Sequence, residues 1–207
     1  MKIGRTLSAS VLCFLTPSLA AAQDKPLLET YLGYSLLQVS SGSAFSQGVR
    51  LIDGGHAAVP LSPSKRLAWM ADFSRNRGTF DLLESYQEQF FAGRDSIETS
   101  QWTLTAGPRL RILDSGRFGL WAHGLLGASR DARYELQRNL IDDEFVFSSP
   151  IVRKRFGLTS VVGVSTAVNL TNGLSWRTDV SWVHSRATEL GRNRSRFSTG
   201  LGVTWGK

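Results

Sequence analysis

Large apolar side chains recur at every second position along most of this chain, in runs separated by polar turns. In RFSTGLGVTWGK, Phe197, Thr199, Leu201, Val203 and Trp205 share one face, while Ser198, Gly200, Gly202 and Thr204 share the other. A period of two is the mark of a β-strand. The same reading sets Leu28, Thr30, Leu32, Tyr34 and Leu36 against Glu29, Tyr31, Gly33 and Ser35. It sets Trp102, Leu104, Ala106, Pro108 and Leu110 against Gln101, Thr103, Thr105, Gly107, Arg109 and Arg111. Leu174, Trp176, Thr178, Val180 and Trp182 likewise oppose Ser175, Arg177, Asp179 and Ser181.

Runs beginning at Leu67, Phe118 and Phe156 continue the theme, and a further strand must lie within residues 48–61. There Ala57, Val59 and Leu61 keep the phase, Asp53 breaks it, and a bulge at Gly54-Gly55 would restore it. The expected strand count is eight, with no long helical period after residue 22. Connections alternate in length. SPSK, DSGR and NLTNG are short, the last two with a glycine suited to positive φ, whereas residues 76–98 and 130–153 are long and polar. Short turns on one side and long loops on the other predict an all-β, eight-stranded antiparallel up-and-down transmembrane β-barrel.

The alternation alone leaves open which face is inside, because a soluble lipocalin-like barrel would use it in reverse. Three features favour lipid outside. The small face carries Gly, Ser and Thr rather than solubilising Lys and Glu, as a narrow barrel interior requires. Trp69, Trp102, Trp176, Trp182 and Trp205 share the apolar phase and gather toward strand ends, the pattern of two aromatic girdles. Charged residues within strands fall on the opposite phase, so Glu29, Arg66, Asp72, Arg109, Arg111, Arg177 and Asp179 are expected to form a network in the lumen.

Composition adds the compartment. Lys2 and Arg5 precede an apolar stretch from Leu7 to Leu19, and Ala20 and Ala22 suit signal-peptidase cleavage, so residues 1–22 read as an export signal and 23–207 as one barrel domain. The only cysteine, Cys13, lies in that signal, which excludes disulfide scaffolds and thiolate chemistry from the mature chain. The net charge of +7 falls to +5 once the signal is gone; the chain's basic residues are 19 arginines and 5 lysines. Export and the even spread of arginine argue against a nucleic-acid partner. Arginine is also the cation that forks onto phosphates. Hence Arg153, Lys154 and Arg155, with Arg192, Arg194 and Arg196, are expected to flank outer loops and contact lipopolysaccharide.

The signal segment, YLGYS, TAGPRLR, WAHGLLGAS and the closing FSTGLGVTWG together give a chain that resembles the small eight-stranded outer-membrane barrels of the OmpA and opacity-protein type. The resemblance implies a monomer in the bacterial outer membrane, inserted by the barrel-assembly machinery, in contact with outer-membrane lipids and needing no cofactor. Members usually end on an aromatic residue. Here Trp205 stands near that place and Gly206-Lys207 run past it.

For chemistry, the sharpest enzyme candidate is WVHSRATE, with His184, Ser185 and Glu189. Outer-membrane lipid A deacylases place a His and a Ser two apart on the penultimate strand, facing the same way. Here the two are adjacent, and adjacent residues on a strand face opposite sides. His123 reads as lumen packing, His56 has no neighbour at metal spacing, and Asp142, Asp143 and Glu144 read as a solvated acidic patch rather than a Ca²⁺ loop. The expected function is non-enzymatic, structural or in surface binding and adhesion through the outer loops.

Overall fold

A computed structural model describes residues 27–40, 49–62, 64, 66–81, 96–135, 138–141, 144–147, 151–187 and 191–205. The signal segment 1–22 with Cys13, the acidic Asp142 and Asp143, Glu189 and the closing Gly206-Lys207 lie outside the described residues.

The strands are β1 (Leu27–Ser40), β2 (Val49–Ser62), β3 (Leu67–Asp81), β4 (Ser96–Asp114), β5 (Phe118–Glu135), β6 (Arg138–Ile141), β7 (Glu144–Phe147), β8 (Ile151–Asn169), β9 (Leu174–Ser185) and β10 (Asn193–Trp205). Eight of them close into one barrel in the order β1-β10-β9-β8-β5-β4-β3-β2, while β6 and β7 pair only with each other. Every barrel pairing is antiparallel, including the closing one, where Leu28 faces Trp205 and Leu37 faces Arg196. Closure follows from the solvent. In hydrocarbon no backbone N–H or C=O can turn to water, so a sheet survives there only without edges.

The alternation sorts cleanly across this wall. Leu32 is 70 % exposed and Leu126 73 %, whereas Ser35, Ser129 and Ser198 are 0 % exposed. Apolar residues point out and small polar ones point in, the inverse of a soluble barrel. Phe197, Leu201 and Trp205 span the outward face of β10, roughly 27 Å of strand at about 3.4 Å per residue. Trp69, Trp176 and Trp205 stand near the short-turn end; Trp182 and the half-buried Trp102 stand toward the other.

Two local expectations are corrected. No bulge interrupts β2: its pairing with β1 runs in one register from Leu27↔Ser62 to Ser40↔Val49. Asp53 keeps the outward phase, and it sits opposite Arg77 at the end away from the short turns, where charge costs little. The irregularity lies instead on β4, between Arg111 and Leu113. In the short turns, Gly116 does take a positive φ of 77°, but Gly173 does not; Leu170 and Thr171 donate there to the Leu174 carbonyl. The polar stretches around residues 76–98 and 130–153 are partly strand, with Asp81 paired to Ser96 and Glu135 to Ile151.

Closure between β1 and β10 gives a direct check. Replacing the outward, directly opposed Leu32 and Leu201 by cysteine should yield an intramolecular disulfide on mild oxidation, seen as a faster gel band reversed by reductant. The pair Leu32→Cys and Leu158→Cys, on β1 and β8, should not cross-link within one chain.

Candidate functional site: a packed lumen and two basic surfaces

The inward face of the wall brings its charges together in tiers. Nearest the short turns, Glu29 accepts from Arg109 Nη1 at 3.3 Å and from Arg177 Nη2. Arg109 also donates to Ser165 at 3.3 Å, and its guanidinium lies 4.3 Å from the centre of the inward Trp121 ring, with Arg177 and Arg111 at 5.7 and 5.5 Å. This cation–π stack covers the apolar face of the ring with charge that Glu29 already neutralises in part.

Above it, Arg196 forks onto Asp72, with Nη1–Oδ1 at 2.9 Å and Nη2–Oδ2 at 3.1 Å. His56 bridges Asp72 through Nε2 and Ser198 Oγ through Nδ1, the latter at 2.7 Å. Asp179 accepts from Ser181 and lies 4.0 Å from Arg196 and 3.6 Å from His123. Toward the outer end, Arg194 forks onto Asp131 at 3.2 and 2.8 Å and donates to the carbonyls of Ala187 and Gly191. There Ser129, Ser185 and Thr159 link their hydroxyls at 2.7 Å. Leu37, Val39, Ile52, Leu125, Val161 and Val183 fill the remaining interior. The cavity between Tyr31, His56, Arg109, Arg177 and Asp179 measures about 20 Å³, room for a single water.

Of the residues expected in the lumen, Glu29, Asp72, Arg109, Arg177 and Asp179 are all buried there. Arg111 is half-exposed at the mouth and paired with Asp114 at 2.6 Å. Arg66 is corrected: it is exposed in the turn before β3, because the strand begins one residue later. Arg194 and Arg196 are corrected as well. Both are 1 % exposed and tied to Asp131 and Asp72, so neither is available to lipopolysaccharide. Arg153, Lys154, Arg155 and Arg192 are exposed. The alternating spacing of Arg194, Arg196 and Ser198 is itself an inward phase, and that is the signal for their burial.

The large inward side chains lie over glycines. A Cβ on Gly119 would sit 2.1 Å from the Trp121 ring, one on Gly33 2.4 Å from the Tyr31 hydroxyl, and one on Gly163 2.7 Å from His123. The small residues of the inner face are therefore the space in which its few large residues fit.

Ser198, His56 and Asp72 reproduce the order of contacts in a serine–histidine–carboxylate relay. Ser198 is wholly buried and Asp72 already holds the Arg196 fork, so the chain of contacts works here as packing. His184 and Ser185 lie on opposite sides of the wall. His184 is exposed and bonded to Asn193 at 2.7 Å, and Ser185 is buried against Ser129. Among the described residues no group of acidic, His or Cys side chains is placed to hold a metal.

No protein-family model matches the chain, and no curated protein matches it by sequence. Its backbone is similar to solved outer-membrane barrels. Ail, the attachment invasion locus protein of Yersinia pestis, is 17 % identical over 87 % of this chain and 99 % of its own, with a TM-score of 0.58. A major outer-membrane protein of Thermus thermophilus is 10 % identical over 86 % and 99 %, with a TM-score of 0.58. Neisserial surface protein A is 12 % identical over 85 % and 96 %, with a TM-score of 0.51. The fold is thus that of the small eight-stranded transmembrane barrels of outer membranes.

Two substitutions test the lumen. Asp72→Asn leaves Arg196 buried without its carboxylate and should destabilise the barrel by about 3–5 kcal/mol, read as a lower urea midpoint in lipid vesicles by tryptophan fluorescence. Gly119→Val drives a side chain into Trp121 and should cost about 1–3 kcal/mol in the same assay. An unchanged midpoint for either variant would remove that contact from the account.

Proposed function

We propose that this chain is an outer-membrane protein, exported by a cleaved signal, whose role is to bind polyanionic saccharide at the cell surface without catalysing a reaction. One observation carries the reading. The strands β4, β5 and β8 have 19, 18 and 19 residues against 14, 12 and 13 for β1, β9 and β10, so one side of the wall rises past the other as a ledge. On that ledge Arg153, Lys154 and Arg155 are consecutive and exposed, and they pair across to Arg133, Ala132 and Asp131 of β5. Consecutive residues on a strand face alternate sides, so the three cations present charge on both faces of the ledge. An extended polyanion fits that arrangement because guanidinium groups fork onto sulfate or phosphate.

The similarity in fold to Ail supports the same direction. Ail has been solved in complex with the heparin analogue sucrose octasulfate. The packed interior supports a surface role over a wide diffusion pore. Outer-membrane lipids, lipopolysaccharide and the barrel-insertion machinery are the partners that the membrane setting supplies, and the barrel of a monomer closes within one chain.

Location is tested by fractionation. The protein should enter the outer-membrane fraction and migrate faster unboiled than boiled; native protein in the detergent-free periplasm would overturn the reading. Binding is tested on immobilised heparin as a sulfated probe. The variant R153A/K154A/R155A should bind about tenfold more weakly and elute at lower salt, whereas elution equal to wild type would remove the ledge as the binding surface.

A further inference from the structure

A second basic surface faces sideways into the membrane boundary rather than up from the ledge. The registers of β2, β3, β4, β5 and β8 align Gly55, Arg75, Trp102, Arg130 and Phe156 in one outward row. The row below is Phe73, Leu104, Ala128 and Leu158, wholly apolar. The row above is Asp53, Arg77, Ser100, Ala132 and Lys154. Over a short stretch of each strand the wall passes from acyl-chain contact, through a row of two arginines and two aromatics, to a polar rim.

Arg75 and Arg130 flank Trp102 and open a groove of about 450 Å³, lined by Phe73, Arg75, Trp102, Leu104, Arg130 and Tyr134. Trp102 is held edge-on to Phe156 at 5.8 Å, and Arg130 lies over Phe156 at 5.2 Å. The Nε of Arg130 is buried with no hydrogen-bond partner. Among the described residues neither Arg75 nor Arg130 meets a carboxylate, although Arg77 just above is paired with Glu98 at 2.5 Å. Two guanidinium groups on a lipid-facing wall, bracketing an interfacial tryptophan above an apolar row, match an amphiphile with its phosphate at the headgroup level and its acyl chains below.

We infer that this groove binds the phosphate of an outer-leaflet phosphoglycolipid of lipid A type, with Arg75 and Arg130 as the phosphate ligands, Trp102 beside the sugar and the Phe73–Leu104 row along the acyl chains. The end opposite the short turns faces the outer leaflet, whose lipid carries phosphate on sugar. The row stands toward the outer end of the wall, where a cation on the lipid face costs less than at mid-bilayer and where lipid phosphates lie. The groove lies one row below Lys154 of the ledge and uses different cations, so separate variants distinguish it from polyanion binding there.

The test is native mass spectrometry of the detergent-purified barrel, titrated with bisphosphorylated lipid A, with the same lipid A after removal of its phosphates, and with inorganic phosphate. Wild type should hold the phosphorylated lipid about tenfold tighter than the dephosphorylated one, and R75A/R130A should lose that preference while R153A/K154A/R155A keeps it. Folding of each variant is verified by its unboiled gel migration. Should the double variant not fold, Arg75→Gln and Arg130→Gln singly should each lower the preference by about threefold. Equal preference in wild type and the folded Arg75 and Arg130 variants, loss confined to the ledge variant, or displacement of the lipid by equimolar inorganic phosphate would each overturn the assignment.

Discussion

A closed wall of eight strands leaves an axis that side chains largely fill, yet half of every strand must point into it. Charge on that face can be kept only where the opposite wall supplies its counter-ion at hydrogen-bond distance. The ties obey this geometry. Glu29 on β1 reaches Arg109 on β4, Asp72 on β3 reaches Arg196 on β10, and Asp131 on β5 reaches Arg194 on β10. In each case the partners stand three strands apart around the barrel. Such ties span the lumen rather than run along one sheet edge. They therefore select a register: sliding β10 by one residue against β9 would turn Arg194 and Arg196 toward lipid and strand two carboxylates inside.

Packing follows from the same shortage of space. Trp121, Tyr31 and His123 lie over Gly119, Gly33 and Gly163, which supply the volume that their rings occupy. Leu37, Ile52, Leu125, Val161 and Val183 complete the interior, and what remains between Tyr31 and Arg109 is a void of about one water. An interior organised this way serves rigidity. The outer end and the lipid-facing wall are then the surfaces on which recognition can vary without disturbing the fold.

The strands are legible because the two faces of the wall meet such different media that the period of two holds within most of them, as in Leu28–Leu36 and Phe197–Trp205. Where the medium changes, legibility drops. Asp53 suggests a bulge only on the assumption that β2 stays within lipid; at the outer end the same outward phase meets polar surroundings. Arg66 carries the inward phase of β3 in the sequence, but it precedes that strand. The density of charge around Arg194 and Arg196 points to a loop, although their alternation with Ser195 and Phe197 already sets them on the Ser198 face. Partners are not legible at all. The sequence offers Arg177 or Arg109 to Asp179, whereas the barrel sets Arg196 4.0 Å from it, because partner choice depends on strand tilt and stagger, which no single strand encodes.

The excess of arginine over lysine acquires two meanings once each residue is placed. Arg109, Arg177, Arg194 and Arg196 are inside, each against a carboxylate. There a planar fork can hold two oxygens at once, and a lysine would leave lone pairs unmet. Arg75 and Arg130 are outside, beside Trp102 and Phe156, with no carboxylate among the described residues. The same fork that closes a buried pair is, on the outer wall, open toward the membrane boundary. Composition cannot separate these populations because the side chains are identical. The face of the strand, and the presence or absence of an acid opposite, divides arginines that build the barrel from those placed to meet something outside it.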